Sequence, residues 1–199
     1  MDSSAAVPPT HRLFFALWPD APAREALVRL AHEIAHHGHG KAPREDNLHI
    51  TLAFLGPVAA ARLGALERIG RDAAAGVAPF GLSLERVGGT GFGIAWLSPD
   101  GVPPALAALH AALTAGLARE GFPTEHRMFR PHVTLARHCA RAAHHGAVVP
   151  VRWTVERLAL VESMLAPGGS RYRNLLEWSL GAAPPPAGPL PPSTPRAST

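Results

Sequence analysis

The chain has 199 residues, of which 47% are hydrophobic and only 17% charged, a balance that suits a packed globule rather than a disordered chain. Its apolar runs fall far short of the roughly 20 residues that cross a bilayer, the N-terminal MDSSAAVPPT lacks the basic and apolar succession of a secretory leader, and the single Cys139 can form neither an internal disulfide nor a thiolate zinc site. These features point to a cytoplasmic protein, and the net charge of +4 with a pI near 10.5 suits, without requiring, a phosphate-rich partner.

Both ends read as tails: residues 1–10 are polar and proline-containing, and 182–199 are proline-rich and of low complexity, which leaves residues 11–181 as the folded part. Within it, RLFFALW at 12–18 is short, apolar and aromatic, as a buried strand would be. Asp20 is placed to cap a helix whose apolar face is Leu27, Leu30, Ala31 and Ile34, and which ends in the turn HHGHG. A strand follows at 48–55 and a helix over 59–75. Two strands, 80–87 and 92–97, flank the turn signal GGTG. After Pro103 and Pro104, Leu106, Leu109, Leu113 and Leu117 mark a third helix. Three more strands are expected near 131–136, 151–163 and 172–180. The order predicts an α+β fold with largely antiparallel sheets.

One motif occurs twice. NLHITLAFLG at 47–56 and RPHVTLARHC at 130–139 both contain His-x-Thr-Leu-Ala with a β-branched residue at x, about half the folded part apart. The repeat suggests two related lobes that each donate one copy. On a strand, residues i and i+2 share a face, so His49 and Thr51 point one way while Leu48, Ile50 and Leu52 enter the core. His132 and Thr134 stand likewise against Val133 and Leu135. Histidine titrates near neutral pH, so one imidazole of a facing pair can take a proton from water while the other gives one to a leaving oxygen. The threonine hydroxyls can donate to the non-bridging oxygens of a phosphate held between them. A duplication retained only for packing would keep the apolar positions and has no reason to keep the outward His and Thr.

Together with RLFFAL in the first strand and RYRNLLEWSL in the last, DNLHITLAFLG and FRPHVTLAR resemble the 2H phosphoesterases, and within them the RNA 2′,3′-cyclic phosphodiesterases historically called 2′-5′ RNA ligases. The resemblance spans roughly residues 11 to 180. It implies a bilobal α+β fold around a central cleft, no metal or other cofactor, and hydrolysis of a terminal 2′,3′-cyclic phosphate to a 2′-phosphate. By the same resemblance His49 protonates the departing O3′, His132 activates water, Thr51 and Thr134 hold phosphate oxygens, and Arg137 adds a charged contact. The implied partners are RNA ends or nucleotides bearing the cyclic phosphate, with no membrane and no obligate protein partner.

Strand parity sets Arg137 opposite His132, so it reaches a cleft only if the strand ends or bulges near Ala136. Phe54 occupies the matching position in the first copy. Phe14, Phe54 and Tyr172 are candidates to contact base or ribose, with core packing as the competing role, and Arg171 stands beside Tyr172. The histidines at 36, 37 and 39, and those at 144 and 145, have no acidic or cysteine ligand in an ordered pattern and read as solvated loops. GGTGFG lacks the lysine and the strand-to-helix context of a nucleotide-binding loop. A non-catalytic RNA-end binding module and 2′,5′ end joining by the reverse chemistry are the rival functions.

Overall fold

A computed structural model describes residues 10–89, 93–125, 127–140, 146–167 and 169–182. The first strand, β1 (Thr10–Leu17), is followed by α1 (Ala21–His37), which Asp20 caps by accepting a hydrogen bond from the Ala23 amide at 2.9 Å. Then come β2 (Ile50–Ala59), α2 (Leu63–Ala75), β3 (Phe80–Gly89), β4 (Ala95–Ser98), α3 (Pro104–Arg119) and β5 (Val133–Ala136). The chain continues through β6 (Gly146–Val155), β7 (Arg157–Ala166) and β8 (Gly169–Ser179).

The strands form one eight-stranded sheet in the order β6-β3-β4-β5-β2-β1-β7-β8, with the paired strands antiparallel. Its two four-stranded halves meet at β2 and β5 through a single residue pair, Ile50 opposite Val133. The expected α+β fold with two related lobes is therefore built as two halves of one sheet, with a His-Thr motif on each inner strand. Each inner strand is reached by the same route, β1–α1–β2 in one half and β4–α3–β5 in the other. Helix α1 leaves β1 but packs beneath β5 and β6 of the other half, while α2 packs on α3, β7 and β8.

The helices lie on one face of the sheet and enclose the main core, which includes Leu13, Phe15, Leu17, Leu27, Leu66, Leu106 and Leu113. The opposite face carries a small second cluster, Phe14, Ala16, Ala159 and Val161, with Trp18 and Tyr172 packed against it. Glu162 is buried between β1 and β8, held by His11 at 2.6 Å and Arg173 at 2.7 Å, and it fastens the β7–β8 hairpin to β1.

Three expectations need correction. Residues 151–163 are two strands in different halves: β6 pairs with β3, and β7 pairs with β1 and β8. The inward alternation Val151, Trp153, Val155 loses phase at the adjacent exposed charges Glu156 and Arg157, where the chain crosses from one half to the other. His36 and His37 lie in the last turn of α1 and not in a loop. In the strand expected at 92–97, Phe92 lies outside the described residues, Gly93 and Ile94 are not strand, and the strand starts at Ala95. The tail residues 1–9 and 183–199, Thr90 and Gly91 of the GGTG turn, and His144 and His145 lie outside the described residues.

Candidate active site

Each histidine stands one residue before its strand, and the flanking burial follows the two-residue period: Leu48, Ile50 and Leu52 are buried, as are Val133 and Leu135. The two rings are braced in the same way. His49 Nδ1 donates to the Asn47 carbonyl at 2.7 Å, and His132 Nδ1 donates to the Arg130 carbonyl at 2.8 Å. A carbonyl oxygen only accepts, so the proton of each neutral ring sits on Nδ1 and the lone pair on Nε2. The Thr51 hydroxyl lies 3.0 Å from His49 Nε2. Asn47 is itself anchored, its side-chain amide donating to the Ser170 carbonyl of β8 at 3.0 Å.

The surroundings of the two rings differ. His49 is half-buried, walled by Phe14, Trp18 and Tyr172 with ring centroids at 5.0, 5.2 and 5.2 Å. Burial pushes its pKa down to about 4, against the opposing pull of the Asn47 carbonyl, and the charges of His132 and Arg137 depress it further. His132 is exposed, with Trp96 alongside at 6.1 Å. The Trp96 ring lies on β3 where Gly88 has no side chain; a Cβ there would meet the indole at 2.7 Å.

The bulge that Arg137 would need to reach the cleft side is present. In the β4–β5 pairing Thr134 faces Trp96 and Ala136 faces Ala95, so Leu135 is an extra residue. Leu135 and Ala136 are consecutively buried, the parity flips, and β5 ends. Arg137 then exchanges both backbone hydrogen bonds with Lys41, at 2.8 and 2.9 Å. The first copy contains the same device. Thr51 faces Ala16 and Ala53 faces Phe15, which leaves Leu52 extra, and Phe54 faces Phe14 on the sheet side that carries His49. The Leu-Ala of each motif is thus a bulge that flips the strand's alternation before the residue five places after the histidine.

The remaining candidates separate clearly. Phe14 is 3% exposed and forms the wall behind His49, with Tyr172 at its edge. Phe54 is 41% exposed, with the Arg12 guanidinium 5.0 Å from its ring centroid. Arg171 adjoins Tyr172 on β8 and by alternation leaves from the opposite face. A cavity of about 760 Å³ opens between β2 and β4–β5, bordered by Thr51, Phe54, Trp96 and His132 and by the segment leading from α3 to β5. Sequence reasoning missed Trp18, Trp96, Asn47 and that segment. Trp18 closes RLFFALW and Trp96 sits in an apolar strand, so both read as core. Asn47 had a readable cue, since a carbonyl two residues before a strand-edge histidine can reach its Nδ1.

Comparison with known proteins agrees with this architecture. The family model described as the 2′-5′ RNA ligase superfamily matches residues 18–164. The RNA 2′,3′-cyclic phosphodiesterase of Escherichia coli is 35% identical over 178 residues, covering 85% of this chain and 96% of the relative. The protein of the same name from Thermus thermophilus is 32% identical, covering 85% and 90%. Among solved structures, E. coli LigT complexed with 3′-AMP superposes with a TM-score of 0.79 at 31% identity, covering 87% of this chain and all of that one. TT0787 of T. thermophilus superposes with a TM-score of 0.74 at 29% identity, covering 85% and 98%. With both sequence and fold shared over nearly the whole described region, the chain belongs to the 2′-5′ RNA ligase superfamily.

Proposed function

We propose that this protein hydrolyses RNA-terminal 2′,3′-cyclic phosphates to 2′-phosphates, with His49 and His132 as its acid–base pair. The observation that carries the proposal is the duplicated brace. Two histidines, one on each half of the sheet, have Nδ1 tied to the carbonyl two residues earlier, which leaves Nε2 of each as the working nitrogen beside a threonine. The names of the relatives in E. coli and T. thermophilus support the same activity.

In this mechanism the cyclic phosphate lies between the rings. His132 Nε2 takes a proton from water, and the oxygen attacks phosphorus in line with the P–O3′ bond. As that bond breaks, its electron pair goes to O3′, which takes a proton from His49 Nε2. The products are a 2′-phosphate and a 3′-hydroxyl, and solvent returns the proton from His132 to His49. The exposed His132, open to water, suits the base. His49 is neutral in the free site mainly because of burial, and the neighbouring Arg137 charge adds to the effect. A bound anion offsets that charge and favours the imidazolium that the acid role needs. Thr51, Thr134 and Arg137 hold the non-bridging oxygens, so the chemistry calls for no metal. No helix among the described residues is long and apolar enough to cross a membrane, and a cytoplasmic site of action fits this reading.

The test is turnover of a cyclic-phosphate oligoribonucleotide in chelator by wild type, His49→Ala and His132→Ala. Wild type should yield the 2′-phosphate, and each variant should lose about 100-fold to 10,000-fold in kcat. Binding without turnover would replace the hydrolase with an RNA-end binding module. A 2′,5′-joined product formed in place of the 2′-phosphate would replace it with end joining.

A further inference from the structure

The two carbonyls that brace the histidines are held by different means. In the first half Asn47 is tied to β8 through its side-chain amide, which donates to the Ser170 carbonyl at 3.0 Å. In the second half Arg130, whose carbonyl accepts from His132 Nδ1 at 2.8 Å, is exposed and lies in the connection from α3 to β5. Its neighbour Phe129 is the only described residue from Glu125 to Arg130 that is not exposed. The Phe129 ring lies flat on His110 of α3, with ring centroids 3.8 Å apart and planes 10° from parallel. The other aromatic pairs among the described residues stand 5.0 to 6.1 Å apart and are tilted or edge-on. Core packing does not require a histidine at this position. The apolar stripe of α3 is Leu106, Leu109, Leu113 and Leu117, each at most 1% exposed, and His110 stands half-buried at its edge, on the wall of the cavity that His132 also borders. Burial pushes the His110 pKa down, and the Glu125 carboxylate, from the same connection, pulls it up. Phe129 and Glu125 of the connection thus both come to one side chain of α3.

From this arrangement we infer that His110 is a positioning residue for His132: its stack on Phe129 fixes the Arg130 carbonyl to α3, and that carbonyl keeps the proton of His132 on Nδ1 and leaves Nε2 free. The inference deepens the phosphodiesterase proposal and rests on it for the base role of His132. The path from stack to brace is short, because Arg130 directly follows Phe129 and His132 stands two residues further on. Pro131, buried between Arg130 and His132, has a fixed backbone angle of its own and restricts Arg130 to extended backbone. A run this stiff passes a displacement of the Phe129 ring on to the Arg130 carbonyl instead of absorbing it. A neutral imidazole whose Nδ1 loses its acceptor is no longer held in one tautomer, and with the proton on Nε2 it cannot take another from water. Helix α3 is a firm anchor, since it joins β4 to β5 and packs on α2. His110 thus does for the second half what the Asn47 amide does for the first.

The deciding experiment compares wild type with His110→Ala and His110→Phe by two readouts. One is kcat and KM on an oligoribonucleotide ending in a 2′,3′-cyclic phosphate. The other is the ring-nitrogen NMR shifts of His132 and His49 in mildly alkaline solution, which report the nitrogen that carries the proton of a neutral ring. In His110→Ala kcat should fall about 10-fold to 100-fold, the scale of a small misplacement of a reacting group, with KM little changed. His132 should move from the Nδ1–H form toward a mixture of tautomers, while His49, braced by Asn47, should keep its form. His110→Phe, which can still stack on Phe129, should restore both the rate and the His132 signature. An unchanged kcat in His110→Ala would overturn the inference, and so would an unmoved His132 signature. A loss confined to KM would do the same, by making His110 part of the cavity wall alone. Disturbance of both histidines that His110→Phe does not repair would also overturn it, as the mark of a general loss of structure. The ring shifts need no turnover, so the two proposals fail separately. A wild type that hydrolyses nothing while its His132 responds to His110 would sink the phosphodiesterase and keep the positioning role, and an active enzyme whose His132 ignores His110 would do the reverse.

Discussion

The two halves of the sheet repeat one backbone device and surround it differently. Each offers a histidine tied by Nδ1 to a carbonyl two residues back, a threonine two residues on, and a bulge that flips the strand's alternation before the fifth residue. In the first half the histidine is half-buried behind three aromatic rings, and the fifth residue is Phe54. In the second the histidine is exposed, and the fifth residue is Arg137. Backbone repetition supplies two imidazoles that present the same nitrogen, and burial holds the pKa of the first down to about 4. In the proposed in-line displacement the acid role of His49 therefore depends on a bound anion raising that pKa.

The sharpest way to break the comparison is to remove the charge that only the second half has. Arg137→Met should lower kcat/KM on a cyclic-phosphate substrate by about 100-fold, the scale of a lost charge-assisted contact to the transferring group. It should also raise the His49 pKa above its present value of about 4, because the Arg137 charge is one of the causes that depress it. Titration of the His49 ring by NMR reads the second effect independently of the first. A lost rate with an unmoved His49 titration would separate Arg137 from the first half altogether.

Much of this was legible in the sequence because the repeat carries its own alignment. The buried Leu48, Ile50, Leu52, Val133 and Leu135 follow from alternation, and so does the outward pairing of His49 with Thr51. The capping of α1 by Asp20 and the apolar face of α3 follow from local pattern. What stayed hidden depends on pairing between distant strands. The break at Glu156 is a phase slip of one residue inside an otherwise continuous strand-like run, and only the pairing of β6 with β3 and of β7 with β1 reveals it. The bulges at Leu52 and Leu135 exist only relative to β1 and β4. The sequence therefore shows what Arg137 would need without showing that it is met. Trp18 and Trp96 look like core residues because an aromatic wall around a histidine has the composition of a core.

The depressed pKa of His49 also makes the first half responsible for a pH-dependent part of the stability. In the unfolded chain its imidazole titrates near 6.5, and in the folded site near 4. Above pH 6.5 the ring is neutral in both states, and the folded protein keeps its full stability. As the pH falls from 6.5 to 4 the unfolded chain takes up a proton that the native site refuses, and stability declines. Below 4 both states are protonated and this source adds no further loss. The shift corresponds to about 3 kcal/mol. Urea unfolding of wild type and His49→Gln at pH 7 and pH 4 isolates it, since glutamine does not titrate: the variant should gain on wild type by about that amount between the two pH values. A constant difference would mean that the His49 ring is solvated in the folded protein and that the halves do not differ in burial.

The smallest expected effect concerns how much of that burial one ring supplies. Trp18 covers His49 from the end of β1 and is fixed by its indole N–H, which donates to Asn174 Oδ1 of β8 at 3.0 Å. Trp18→Ala removes one of three rings and admits water on that side, while Phe14 and Tyr172 still pack against the histidine. The His49 titration should move part of the way from about 4 toward 6.5, because desolvation is the largest cause of the depression. The brace from Nδ1 to the Asn47 carbonyl does not involve Trp18, so the ring keeps its orientation and kcat should fall by about 10-fold or less. Trp18→Phe, which restores an apolar wall without the hydrogen bond to Asn174, should return the titration toward the wild-type position. If Trp18→Ala raised the pKa and left Trp18→Phe equally raised, the tether to β8 and not the apolar cover would be what sets the first histidine apart from the second.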